Sequence, residues 1–95
     1  MTFDEFQRTL TETEPPPDLS LPLRALWLDG KQDWDAAHGT VDSLETTEGA
    51  RVHAYLHRKE GDFANARYWY GRAGADPESG PLEREWEALV RRFLR

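Results

Sequence analysis

"VHAYLHRKEGDFANARYWYGRAG" (residues 52–74) decides the fold. Gly61 suits a helix stop and Asp62 suits the N-cap of whatever follows, so the pair divides the stretch into two helices. The upstream helix starts at Thr46 or Thr47 and runs through "EGARVHAYLHRKE". The downstream one carries Phe63, Ala66, Tyr70 and Ala73 at helical spacing and closes at Gly74. Helices joined by so short a turn fold back on one another as a hairpin. Tyr68, Trp69 and Tyr70 stand about 100° apart on the second helix, so one buried stripe cannot hold all three. Tyr70 belongs to the core stripe. Trp69 is expected to lie under the C-terminal helix, against Trp86 and Phe93, and Tyr68 to face a groove near Tyr55 and Arg58.

The same grammar extends outward. Leu23, Leu26 and Trp27 form one apolar face, "DGKQD" (29–33) breaks it, and Asp33 caps a helix with Trp34, Ala37, Val41 and Leu44 on one side. At the N-terminus, Thr2 and Glu5 have capping-box spacing ahead of Phe3, Phe6 and Leu10. The prolines of "TETEPPPDLS" (11–20) forbid helix and make a stiff spacer. Pro81 suits the first turn of a final helix whose apolar face holds Leu82, Trp86, Leu89, Val90, Phe93 and Leu94. No segment alternates like a strand. The expectation is one all-α domain over 1–95 with about five helices. It comprises an N-terminal helix (1–10), a connector (11–20), hairpins at 21–45 and 46–74, and a C-terminal capping helix (80–95).

Sliding residues 22–44 by 29 positions onto 51–73 matches Ala25 with Ala54, Asp33 with Asp62 and Ala37 with Ala66. Trp34 meets Phe63 and Val41 meets Tyr70, so the likeness is one of pattern more than identity. "GDFANARYWYGRA" resembles the second helix of a tetratricopeptide repeat, with "DWDAAHGTVDSL" a weaker copy. The spacing is 29 where that family has 34, and Ala54 stands where it usually has Gly. "LWLDGKQDWDAAH" (26–38) and "VHAYLHRKEGDFANARYWYGRAG" (52–74) also resemble a group of short uncharacterised bacterial proteins. That resemblance implies tetratricopeptide-like helical hairpins and brings no activity with it.

Composition narrows the function classes. With no Cys, neither disulfides nor thiolate metal sites can form, and a reducing cytoplasm is the expected location. No run approaches the roughly 20 apolar residues of a membrane span. The net charge of −6 is uneven: residues 1–48 hold 3 basic and 11 acidic side chains, residues 49–95 hold 9 and 7. The acidic half repels phosphate backbones, which argues against nucleic acid as a partner. The basic half suits an acidic protein segment or peptide. The expected groove for it is Arg51, Tyr55, Arg58, Arg67 and Tyr68, since Tyr and Arg are enriched at interaction hot spots. A homodimer is one form such a binding module can take.

Two histidines carry the other chemical signal. His53 and His57 stand at i and i+4, the spacing of zinc-binding H-E-x-x-H helices. Ala54 occupies the position of the general base, so a metalloprotease is not expected. A plain metal site would need a further ligand such as His38, Asp33, Asp35 or Asp62. Otherwise the pair are structural imidazoles bonded to carboxylates or Tyr hydroxyls. No nucleophile elbow, phosphate loop or catalytic Cys is present, so no catalytic residue and no cofactor are assigned. The sequence therefore favours a non-enzymatic binding module, with a small metal- or anion-binding protein built on His53 and His57 as the alternative.

Overall fold

A computed structural model describes residues 1–95 as six α-helices and one 3-10 turn. Six is the sum of the elements expected, an N-terminal helix, two helix pairs and a C-terminal helix, against the overall figure of about five. They are α1 (Phe3–Arg8), the 3-10 turn (Thr9–Thr11), α2 (Leu21–Gly30), α3 (Trp34–Val41), α4 (Thr47–Glu60), α5 (Phe63–Ala73) and α6 (Leu82–Phe93). None is long and apolar enough to cross a membrane.

Five of the six helices start where a side chain can satisfy an amide of the first turn. Thr2 accepts from the Glu5 amide at 3.1 Å while the Glu5 carboxylate accepts from the Thr2 amide at 2.8 Å, completing the capping box. Ser20, Asp33, Thr46 and Asp62 cap α2, α3, α4 and α5 in the same way. Pro81 starts α6 without a side-chain cap; its Glu83 and Glu85 at the start and Arg91 and Arg92 at the end complement the helix dipole.

Consecutive helices pair, α2 with α3 and α4 with α5. The two turns between partners share one hydrogen-bond pattern, offset by 29 residues. Gln32 N–H donates to the Asp29 carbonyl and Asp33 N–H to the Leu28 carbonyl, at 2.8 and 3.0 Å. Gly61 donates to Arg58 and Asp62 to His57, at 3.1 and 2.9 Å. Both are Schellman closures followed at once by an Asp cap. The left-handed position falls to Gly61 (φ 89°) in one and to Gln32 (φ 66°) in the other.

The helix α4 sits at the centre, packed against α2, α3, α5 and α6, and eight of its residues between Gly49 and His57 are buried. Water does not reach most of this stretch, so its polar groups depend on partners inside the protein. The main core joins Phe6, Leu26, Trp27, Val41, Leu56 and Val90 with neighbours from all six helices except α5. Ala54, Ala66 and Tyr70 form a separate cluster where α5 meets α4. At the front, Phe3 and Phe6 meet the Trp86 ring at 5.8 and 6.0 Å. Lys31 fixes the end of that segment by donating to the Leu10 and Glu12 carbonyls, both at 2.7 Å. The proline connector thus leaves from an anchored point, and the Cα radius of gyration, 12.3 Å, matches the roughly 12 Å expected of a chain this size.

Candidate metal centre

The i, i+4 spacing of His53 and His57 puts both rings on one side of α4, and packing of α3 against α4 brings His38 up to them. The His38 ring lies edge-on to both, with centroids 5.0 Å from His53 and 5.2 Å from His57. One ring nitrogen from each of the three falls within 4.8 Å of the others. His53 is 1% exposed and His57 6% exposed, while His38 is half-buried.

Neighbouring acceptors fix the tautomers. His53 Nε2 lies 2.9 Å from the Val41 carbonyl, which can only accept, so Nε2 carries the proton. Its Nδ1 then presents a lone pair, and that atom is buried without any hydrogen-bond partner. His57 Nδ1 donates to the Glu60 carboxylate at 2.6 Å, leaving Nε2 as the acceptor, 3.4 Å from the Asn65 amide nitrogen. A carboxylate or backbone carbonyl behind the imidazole is the arrangement that orients metal-ligating histidines and raises their basicity. Burial holds the His53 pKa below its usual 6.5, with the nearby His38 and His57 adding to the effect and the Val41 bond opposing it.

Two indoles wall the cluster. Trp69 of α5 stacks on His53 with centroids 4.0 Å apart, and Trp34 of α3 stacks on His38 at 5.0 Å. Trp34 is itself held by an indole N–H bond of 2.8 Å to the Leu56 carbonyl. A second set, His57, Glu60 and Asp62, also has its ligand atoms within 4.8 Å. Its groups are already engaged, Glu60 by His57 and Asp62 by the Asn65 amide at the start of α5.

The five residues expected to line a peptide groove are not brought together in that role. Tyr55 is buried and its hydroxyl donates to Asp29 at 2.7 Å. Arg58 is 11% exposed and pairs with Glu85 at 2.9 Å. Arg51 lines a different cavity, with Arg92 and Arg95. Arg67 and Tyr68 are exposed on α5, where the Tyr68 hydroxyl accepts from Arg72 at 2.8 Å. Trp69 is covered by His53 of α4 and not by α6, because Trp86 is taken up by Phe3 and Phe6. Among the further metal ligands considered, only His38 joins both His53 and His57; Asp33 is the α3 cap and Asp35 is exposed.

Two buried polar networks have no counterpart in the sequence reading. Asp29, 2% exposed, accepts from Tyr55 and from Lys59 Nζ at 2.8 Å. Glu85, 5% exposed, accepts from Arg58 and from the Tyr70 hydroxyl at 2.6 Å. A signal for both existed: Asp29 follows Leu26 by three positions and Glu85 follows Leu82 by three, each on its helix's apolar stripe. No protein-family model, no curated protein and no solved structure matches the chain.

Proposed function

We propose that this chain is a small metal-ion-binding domain with His38, His53 and His57 as the ligands. The observation that carries the reading is the buried, unpartnered Nδ1 of His53 beside two further imidazoles. A lone pair left without a partner in a dry interior costs about 1–3 kcal/mol, and a metal ion would relieve that cost. The all-imidazole set suits late first-row divalent ions such as Zn²⁺, Ni²⁺ or Cu²⁺, and not Ca²⁺ or Mg²⁺, which want oxygen. Tetrahedral coordination asks the nitrogens to close to about 3.4 Å from one another, a movement within reach of the half-buried His38 ring. Three protein ligands leave one position for water or another small ligand.

We read the two helix pairs as tetratricopeptide-like hairpins that serve to set α3 against α4. The matching turns at Gln32–Asp33 and Gly61–Asp62 support that reading. Capture of an acidic peptide by Arg51, Tyr55, Arg58, Arg67 and Tyr68 has less behind it, since Tyr55 and Arg58 are already bonded inside the protein.

The test is a thermal melt of chelator-stripped protein with and without Zn²⁺, Ni²⁺ and Cu²⁺, paired with calorimetric titration. A metal at 100 times its Kd adds about 2.7 kcal/mol, or roughly 10–20 °C in a domain this small. The shift should vanish in His38→Ala, whose partly exposed ring can be lost without emptying the core. No shift with any of the three ions, or an undiminished one in His38→Ala, overturns the reading.

A further inference from the structure

A cavity of about 470 Å³ opens where α1, the end of α2, the end of α4 and the start of α6 meet. It shares no residue with the histidine cluster. Its size lies in the range of small-molecule sites, and it has their make-up, apolar walls with a few convergent polar groups. Phe3, Leu10, Leu82 and the Trp86 ring form the walls, and Asp29, Tyr55 and Lys59 meet at the lining.

Charge in this cavity is lopsided. Asp29 and Lys59 neutralise one another through their 2.8 Å bond. Burial and then Asp29 push the Tyr55 hydroxyl well above its usual range, so it stays protonated and keeps donating to Asp29. What remains is Glu83 and Glu87, one turn apart on α6 on either side of Trp86. Glu83 takes part in none of the molecule's ion pairs, and Glu87 has one partner, the exposed Arg91 at 2.8 Å. Arg91 is also a guide to what these walls accept: its guanidinium sits 4.7 Å from the Phe3 ring centroid. The lining thus carries one carboxylate with no ion-pair partner, Glu83, and a second, Glu87, whose single partner is an exposed arginine, beside the Trp86 ring.

We infer that this cavity binds a small organic ammonium ion with an apolar body, the ammonium held by Glu83 and Glu87 against Trp86 and the body lying along Phe3, Leu10 and Leu82. Three probes of one shape and different charge test it: 3-phenylpropylammonium, phenylalanine and 3-phenylpropanoate. Each is titrated into the full chain while the Trp86 indole N–H is followed by NMR. The cation should bind saturably and at least 10-fold more tightly than the carboxylate. The double variant Glu83→Gln, Glu87→Gln should weaken it at least 5-fold while the melting temperature falls by only a few degrees, since it loses a first-turn charge on α6 and one exposed ion pair and leaves the core intact. Absence of saturation by the cation, equal or tighter binding of phenylalanine or the carboxylate, or an unchanged affinity in the double variant each overturns the inference. The histidine site does not enter these readouts, so the two proposals stand or fall separately.

Discussion

Trp69 lies flat on His53, their ring centroids 4.0 Å apart and their planes 9° from parallel. The indole thereby forms one wall of the histidine cluster, and it is only half-buried itself. Trp69→Ala should cost about 2 kcal/mol, below the 3–5 kcal/mol of a fully buried Trp. It should also let water reach the imidazole and raise the His53 pKa. Urea unfolding reads the first effect and NMR titration of the ring the second. A His53 titration that stays where it was would show that the indole does not shield the site.

The suppressed pKa of His53 makes stability depend on pH in one direction. Below about pH 6.5 the unfolded chain takes up a proton at this side chain while the folded one does not. Stability is therefore complete above that pH and is lost as pH falls toward the folded pKa, at up to about 1.4 kcal/mol per unit. His38 and His57 face the ring and deepen the effect, while Asp42 opposes it. Denaturation at pH 7.5 and 5.5 should show the wild type losing about 1 kcal/mol more than His53→Phe. Equal losses in the two proteins would mean that His53 protonates as readily folded as unfolded.

Much of the architecture was legible because helix starts and stops are local. Thr2, Asp33, Thr46 and Asp62 cap helices where their spacing placed them, and Gly61 closes α4 with the backbone bonds a Schellman turn requires. The histidine pair on one face of α4 is likewise a matter of helical period. What local pattern does not encode is which helix lies across from which. Whether Trp69 meets α6 or α4 depends on where α6 docks, and the N-terminal Phe3 and Phe6 reach Trp86 first. The inward turn of Tyr55 and Arg58 follows from Asp29 and Glu85, whose meaning depends on what faces them across the core.

Arg58 and Glu85 form a pair taken almost wholly out of water, with side chains 11% and 5% exposed. Removing one partner strands the other's charge, which typically costs 3–5 kcal/mol, whereas removing both leaves only packing to adjust. Arg58→Met should therefore destabilise by about 3 kcal/mol, and Arg58→Met with Glu85→Leu by markedly less. The Tyr70 hydroxyl, which loses its acceptor in the double variant, tempers the recovery. Chemical denaturation of Arg58→Met, Glu85→Leu and the double variant decides it; a double variant as unstable as the sum of the singles would show the two side chains acting independently.

Two helical glycines predict opposite responses to alanine. A Cβ at Gly49 would lie 2.9 Å from the Leu44 carbonyl oxygen, a backbone atom with little room to give, so Gly49→Ala should cost about 1–3 kcal/mol. A Cβ at Gly71 on the exposed side of α5 meets nothing within 4 Å. There alanine gains only helix propensity, and Gly71→Ala should stabilise by about 0.5–1 kcal/mol. Thermal melts of the two single variants should move apart in sign.

The matched turns allow a sharper test, since one backbone geometry is occupied by two different residues. Gly61 takes the left-handed position at φ 89° without a Cβ penalty, whereas Gln32 holds φ 66° with a side chain in place. That conformation costs an ordinary L-residue roughly 1–2 kcal/mol, and glycine gives back part of the gain through the freedom it adds to the unfolded chain. Gln32→Gly should accordingly stabilise by about 0.5–1 kcal/mol, and Gly61→Gln should destabilise by about the same or more. Gln32 borders the cavity and its side-chain amide has no hydrogen bond within the protein to lose, while its backbone N–H bond to Asp29 survives the change, so the backbone term stands nearly alone. Urea midpoints shifting in opposite directions would establish that both hairpins close through one left-handed residue, strained only at Gln32; a destabilising Gln32→Gly would mean that the first turn owes its shape to the glutamine side chain.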